Sequence, residues 1–265
     1  MRRLNNSRDA TPDPAQLEAF DALVLEAEPR VDGPNAIQSL RPFGHELLDL
    51  GLGASESYQR SPEEEARLRA TELARRGRRL DAIMVLRQLV HDAPAEVEGR
   101  VLLATLLEEV NEIEQALDEL AKAIQQAPQQ AALLVRRGAL YARMGRSSEA
   151  ERDFREARRQ DTSYCPAYRY LGTTLLRRGV LGEAVTVLRE ALRLAPDDPD
   201  ATLYLGEALA TQGQHEEALS LLGRASELAP SDPRAFKLLG RLLDRLGRTE
   251  EAMSMHRKAR EVTSA

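Results

Sequence analysis

Histidine, cysteine, paired carboxylates and arginine are the side chains through which this chain of 265 residues could do chemistry. The four histidines, His45, His91, His215 and His256, are scattered, with no His-Glu-x-x-His and no Cys/His spacing that would hold a metal. Cys165 stands in Ser163-Tyr164-Cys165-Pro166 and reads as a small junction residue rather than a nucleophile. Gly51-Leu52-Gly53 is too short for a phosphate loop and lacks the Lys-Ser/Thr that would follow one. Glu108-Glu109 and Glu216-Glu217 are pairs of a kind common on exposed helices, and no motif places either as an acid/base couple. No catalytic, cofactor-binding or metal residue is therefore expected, and no enzyme. The cations Arg136, Arg143, Arg169, Arg177, Lys237 and Arg241 suit binding instead. Guanidinium groups on rigid helices hold carboxylates, and the rings of Tyr170 and Tyr204 among them can pack aliphatic segments. Thr173 and Glu207 lie within the same set. The ligand this chemistry fits is an acidic or C-terminal peptide, one that folds as it binds.

The elements that must carry these side chains follow from a constant period, equal to the step from Pro94 to Pro128. Pro94, Pro128, Pro196 and Pro230 keep it, with Thr162 in the one gap. Gly77, Gly145, Gly179, Gly213 and Gly247 keep it as well, with Asn111 filling the missing place. Ala82, Ala116, Ala150, Ala184, Ala218 and Ala252 form an unbroken third column. Between the Gly/Asn and Pro columns the apolar residues have helical spacing, as in Leu103, Leu107 and Leu120 or Leu205, Leu209 and Leu222. Gly and Asn tolerate the left-handed backbone that closes a helix. Pro ends one helix pair and opens the next, and Pro166, Pro199 and Pro233 suit the first turn of the following helix. Each unit is thus a helix hairpin that can bury its apolar stripe only against its neighbours: the chain is an all-α solenoid.

The pattern resembles the tetratricopeptide repeat family, in which an aromatic residue precedes Leu-Gly and Tyr, then Ala, Phe and Pro. One unit runs Gly138, Tyr141, Ala150, Phe154, Ala157; the next reads Tyr168, Leu171, Gly172, Leu175, Ala184, Leu188, Ala191, Pro196; another gives Phe236, Leu239, Gly240, Leu243, Ala252, Ala259. Six hairpins are framed this way over residues 63–265, starting at Glu63, Val97, Ala131, Cys165, Pro199 and Pro233. The resemblance implies a right-handed solenoid in which the first helix of each unit lines a concave groove. It places Arg136, Arg143, Arg169, Tyr170, Thr173, Arg177, Tyr204, Glu207, Lys237 and Arg241 on that groove. The clamp by which some members grip chaperone tails, Lys/Asn/Asn/Lys/Arg, is missing, because its two Asn columns hold Thr71, Thr105 or Thr173 and Arg136, Tyr170 or Tyr204. The first unit has Ala70 and Arg69 where Gly and Leu are usual, so it reads as an edge. In the last unit His256 and Arg260 replace apolar residues, so the final helix reads as a cap with a polar outer face.

Residues 1–60 fall outside the repeat. Pro14 to Glu28 is an amphipathic stretch with Leu17, Phe20, Leu23 and Val24 on one face and Glu18, Asp21, Glu26 and Glu28 around it; Phe43 to Leu52 is a weaker one. The extension reads as an N-terminal cap, a docking segment for a partner or an acidic plug for the groove. A formal net charge of −6 argues against a general nucleic-acid binder, and no stretch is long and apolar enough to span a membrane. The start, Met1-Arg2-Arg3-Leu4, has no apolar run behind its basic residues, and a lone cysteine suits a reducing compartment, so a cytoplasmic, bacterial-type protein is expected. The expected role is an adaptor or scaffold that binds a protein or acidic peptide and needs no cofactor, with a monomer favoured. A structural subunit of a larger assembly and a substrate-delivery subunit for a separate enzyme are the alternatives.

Overall fold

The computed structural model describes residues 60–264, and the features read from residues 1–59 lie outside that range. The described chain forms twelve α-helices: α1 Pro62–Arg75, α2 Arg79–Asp92, α3 Val97–Glu109, α4 Ile113–Gln126, α5 Ala131–Arg143 and α6 Ser147–Gln160. They continue as α7 Cys165–Arg177, α8 Leu181–Leu194, α9 Pro199–Thr211, α10 His215–Leu228, α11 Pro233–Arg245 and α12 Thr249–Ser264. Helices pair in sequence as six hairpins, and the second helix of each packs on the first helix of the next.

The turns are made as the repeat columns require. Gly179 has φ +74° and Asn111 φ +63°, and the other four glycines of that column share the left-handed backbone. The Gly179 N–H donates to the Leu176 carbonyl and the Val180 N–H to the Leu175 carbonyl, both at 2.9 Å, which satisfies the carbonyls left over at the end of α7. Pro62, Pro166, Pro199 and Pro233 sit in the first turns of α1, α7, α9 and α11. Where Thr162 replaces the boundary proline, its carbonyl accepts a hydrogen bond from the Tyr168 hydroxyl at 3.0 Å.

Packing explains the small-residue columns. All six alanines from Ala82 to Ala252 are fully buried. A Cβ at Gly138 would lie 2.6 Å from the Phe154 ring and one at Gly172 2.5 Å from Leu188, so the two helices of a hairpin approach too closely for any side chain there. The last hairpin repeats this contact with a histidine: the His256 ring lies against Gly240, and its Nε2 is 2.8 Å from the Asp244 carboxylate. His256 therefore fills the packing position of its column, and the polar outer face of α12 comes from its neighbours Arg257, Lys258 and Arg260, which are exposed.

The backbones of first helices of adjacent hairpins also come close, α1 to α3, α5 to α7, α7 to α9 and α9 to α11, whereas among the described residues second helices meet only through long side chains, as where Arg155 of α6 reaches Glu183 of α8. A stack whose backbones approach more closely on one side is curved toward that side, so the first helices line its inner face. The exception is the step from α3 to α5, whose backbones stay further apart. The apolar core divides at the same place into one block from Ala70 to Leu140 and another from Ala131 to Leu242, with Tyr141 packed against both.

Candidate functional site

Every side chain expected on the groove lies on a first helix: Arg136 and Arg143 on α5, Arg169, Tyr170, Thr173 and Arg177 on α7, Tyr204 and Glu207 on α9, Lys237 and Arg241 on α11. The odd-numbered helices line the inner face, so all ten stand on the helices that border it. They are not equivalent there, because many of the arginines already hold carboxylates of the chain itself.

The α3–α5 step is bridged by two long side chains. Arg143 forms an ion pair with Glu108, and Arg136 donates from Nη2 to the Thr105 hydroxyl at 2.5 Å while standing 3.9 Å from Glu108. Burial disfavours the charge on Arg136 and pushes its pKa below the usual arginine value, despite Glu108 nearby. These two arginines brace helices whose backbones stay further apart.

A second network spans α7, α9 and α11. Tyr170 stacks on Phe154 with ring centres 5.5 Å apart, and the Arg169 guanidinium lies 4.7 Å from the Tyr170 ring centre. Arg169 donates from Nη1 to one oxygen of Asp200 at 3.0 Å, and Arg234 donates from Nη2 to the other at 2.6 Å. Arg234 further donates to the Tyr204 hydroxyl at 3.0 Å and to Asp232 at 2.8 Å. Although burial opposes its charge, the Asp232 hydrogen bond and the neighbouring Tyr204 and Asp200 outweigh it, and the Arg234 pKa lies above the ordinary arginine value. The Thr173 hydroxyl is spent within its own helix, donating to the Arg169 carbonyl at 2.8 Å.

What remains lies toward the other end of the same helices. Burial raises the Glu207 carboxyl above its ordinary pKa, with Arg241, Arg177 and Arg234 only partly offsetting it. Burial likewise raises the Tyr204 phenol. Arg241 approaches Glu207 no closer than 4.0 Å, and its buried Nε finds no hydrogen-bond acceptor. Arg177 and Lys237 have no ion-pair partner among the described residues, and Lys237 is exposed. Lys237 and Arg241 are one helical turn apart on α11 and so project from one face. These three cations make no ion pair closer than 4.0 Å with the chain's own carboxylates among the described residues.

Asp200, Arg234, Glu108 and Thr105 complete these networks and were not among the expected groove residues. Asp200 and Arg234 occupy the same repeat position, the second of the units starting at Pro199 and Pro233, so the repeat register carried the signal. Cys165, the first residue of α7, has its Sγ 3.5 Å from the Ala191 carbonyl, and burial, with Asp198 nearby, raises its pKa, the opposite of what activates a thiol. His91, His215 and His256 sit on α2, α10 and α12, and no cluster of three or more possible metal ligands occurs among the described residues. No helix there is long and apolar enough to cross a membrane.

Comparison with known proteins agrees with this architecture. One sequence profile described as tetratricopeptide repeat matches residues 67–132 and 135–199, and another of the same description matches residues 175–242 and 209–261. The chain belongs to the tetratricopeptide repeat family. No curated protein matches it. Among solved structures it is similar to YrrB, described as a tetratricopeptide repeat protein with an unusual peptide-binding site. The two are 26% identical, the match covers 67% of this chain and 91% of YrrB, and the TM-score is 0.54. It shares its fold with PilF of Pseudomonas aeruginosa, at 22% identity, a TM-score of 0.64, and 74% and 90% of the two chains covered. The type IV pilus biogenesis factor PilW gives 18% identity, a TM-score of 0.65, and coverage of 74% and 91%.

Proposed function

We propose that this tetratricopeptide repeat protein is a non-catalytic adaptor that binds an acidic segment of a partner protein along its inner face. The observation that carries the reading is the contrast between braced and unbraced cations. Arg136, Arg143, Arg169 and Arg234 hold the chain's own acceptors, whereas Arg177, Lys237 and Arg241 make no ion pair closer than 4.0 Å among the described residues. A partner carboxylate placed there gains charge-assisted hydrogen bonds on a preorganised surface, and the Tyr204 ring beside them offers apolar contact. The likeness to YrrB, a protein described by its peptide-binding site, supports the same class of ligand. Tetratricopeptide repeat proteins as a family bind proteins and peptides, which is the coarser statement on which this one builds. The single Cys165 supports a reducing, cytoplasmic setting for the adaptor.

The test is capture from cells with the native protein beside an Arg177→Glu/Arg241→Glu variant, with the retained proteins identified by mass spectrometry. Arg169 is avoided because reversing it would break the Asp200 network. A partner held by the native form and lost from the folded variant supports the reading; identical sets from both contradict it. A second reading, a permanent subunit of an assembly, is favoured by the exposure of Leu68, Leu80 and Met84 on the first hairpin. Light scattering after size exclusion separates the two, since a monodisperse monomer fits the adaptor.

A further inference from the structure

The outer side of the stack holds a second arginine cluster, on α6 and the start of the α7–α8 turn. There a cleft of about 470 Å³ is lined by Arg152, Arg155, Arg158, Arg159 and Arg178, with Ser148 at its rim and Glu151 in its floor. Glu151 is only 6% exposed, and its carboxylate pairs with both Arg155 and Arg178. Arg155 also reaches Glu183 at 2.9 Å, and Arg159 pairs with Glu156. Arg158 lies 5.9 Å from the centre of the Tyr168 ring, and neither it nor Arg152 has an ion-pair partner among the described residues. Five guanidinium groups thus outnumber the three carboxylates that touch them.

The repeat itself supplies a control for what this hairpin has changed. Steps of one repeat from Glu151 land on Ile83, Leu117, Val185, Leu219 and Met253, so five hairpins place an apolar side chain where the third buries a carboxylate. Burying that charge costs desolvation that an apolar residue avoids, and only its two arginines compensate. The same steps from Arg152 reach Met84, Asp118, Thr186, Ser220 and Ser254, none of them basic, and those from Ser148 reach Leu80, Glu114, Gly182, Glu216 and Glu250, mostly acids. The rim of this hairpin carries no acid at either position, an arginine is added, and a buried acid holds two more arginines in fixed positions. Packing requires none of these changes, since the other hairpins fold without them.

We propose that this cleft is a second binding site, distinct from the inner face, for a protein segment carrying clustered anions. Its carboxylate or phosphoryl groups would sit between Arg152 and the Glu151-anchored pair Arg155 and Arg178. Guanidinium forks match both kinds of oxyanion, and fixing two of them beforehand reduces the ordering that binding requires.

The test uses the full chain with two fluorescently labelled probes of equal length, an oligoglutamate peptide and a serine peptide bearing phosphoserines, read by anisotropy. Arg152→Glu, at an exposed and unpaired position, should leave the melting temperature unchanged and weaken the bound probe about tenfold or more. Glu151→Leu restores the residue type of its column, so it should keep or raise stability. It should nevertheless weaken binding, because Arg155 and Arg178 lose their anchor even though the cleft becomes more positive. The Arg177→Glu/Arg241→Glu variant, which removes any binding of the probe at the inner face, should retain the binding that Arg152→Glu weakens. Whichever probe shows this pattern identifies the anion. Tighter or unchanged binding by Glu151→Leu, loss only in the inner-face variant, or no binding of either probe by the native protein would each overturn the proposal. The Arg152-sensitive part of the binding reports on the outer cleft alone, and the capture experiment decides the inner-face reading separately.

Discussion

The inner face and the outer cleft are both arginine-rich, yet they organise their arginines in opposite ways. On the inner face, acids and hydroxyls from one hairpin reach arginines on the next: Asp200 lies between Arg169 and Arg234, Glu108 pairs with Arg143, and Thr105 holds Arg136. These contacts run across the stack and brace it, and they leave Arg177, Lys237 and Arg241 aside. In the outer cleft one buried acid anchors two arginines, and two others are left unpaired. The number of arginines on a face therefore says little about binding. What separates a brace from a ligand contact is whether the chain itself satisfies the guanidinium.

Substitutions can break or sharpen that contrast. A turn common to both faces sets the scale: Gly179→Val should cost about 1–3 kcal/mol in urea unfolding, because a β-branched residue is strained at φ +74°. A Cβ at that position meets nothing within 4 Å, so the loss would come from the backbone alone, and an unchanged midpoint would refute the left-handed turn. Next comes the inner brace. Asp200→Ala removes the acceptor that Arg169 and Arg234 share between hairpins and should destabilise by about 1–2 kcal/mol, discounted for their exposure and their other partners. If stability is unaffected, those arginines are not braces and the two faces do not differ.

Glu207→Gln should have a smaller effect, and of opposite sign. The Glu207 pKa is raised in the folded chain by burial, so between the unfolded and folded values the native state carries more protons than the unfolded one. Stability contributed by this group then falls as pH rises through that window. The substitution should therefore raise the melting temperature at neutral pH, with the gain shrinking as pH is lowered through the folded value. A gain independent of pH would show that the carboxyl's pKa is not raised in the folded chain. The smallest change belongs to the outer rim, where Arg152→Glu should stay within about 0.5 kcal/mol of the native stability while altering anion binding.

Much of this architecture was legible in the sequence because its determinants recur at the repeat period. The positive φ at Gly179 and Asn111, the full burial of Ala150 and Ala184, and the placement of Pro199 and Pro233 in first turns all follow from residue type at a repeated position. The inner-face assignment of Arg177 and Arg241 came from the same register. Which arginines were available was not legible, because the partner of each lies on another hairpin. Asp200 pairs with the residue one full repeat further on, Arg234, and Glu151 with Arg178 in the following hairpin; both pairings depend on side-chain reach across a packed interface. Glu151 was visible as a break in an apolar column, but its two partners were not. His256 shows the opposite error: a polar residue in an apolar column reads as surface, yet its flat ring packs against Gly240 as the leucines of its column pack against theirs.

The central claim is that the inner face binds through Arg177, Lys237 and Arg241. It is tested most directly by titrating the captured partner into the native chain, the Arg177→Glu/Arg241→Glu variant and the Arg152→Glu variant, all at one salt concentration. The account predicts that affinity falls about tenfold or more in the inner-face variant and holds in the outer one. Equal affinity of the native and inner-face proteins, with both still folded, would contradict it.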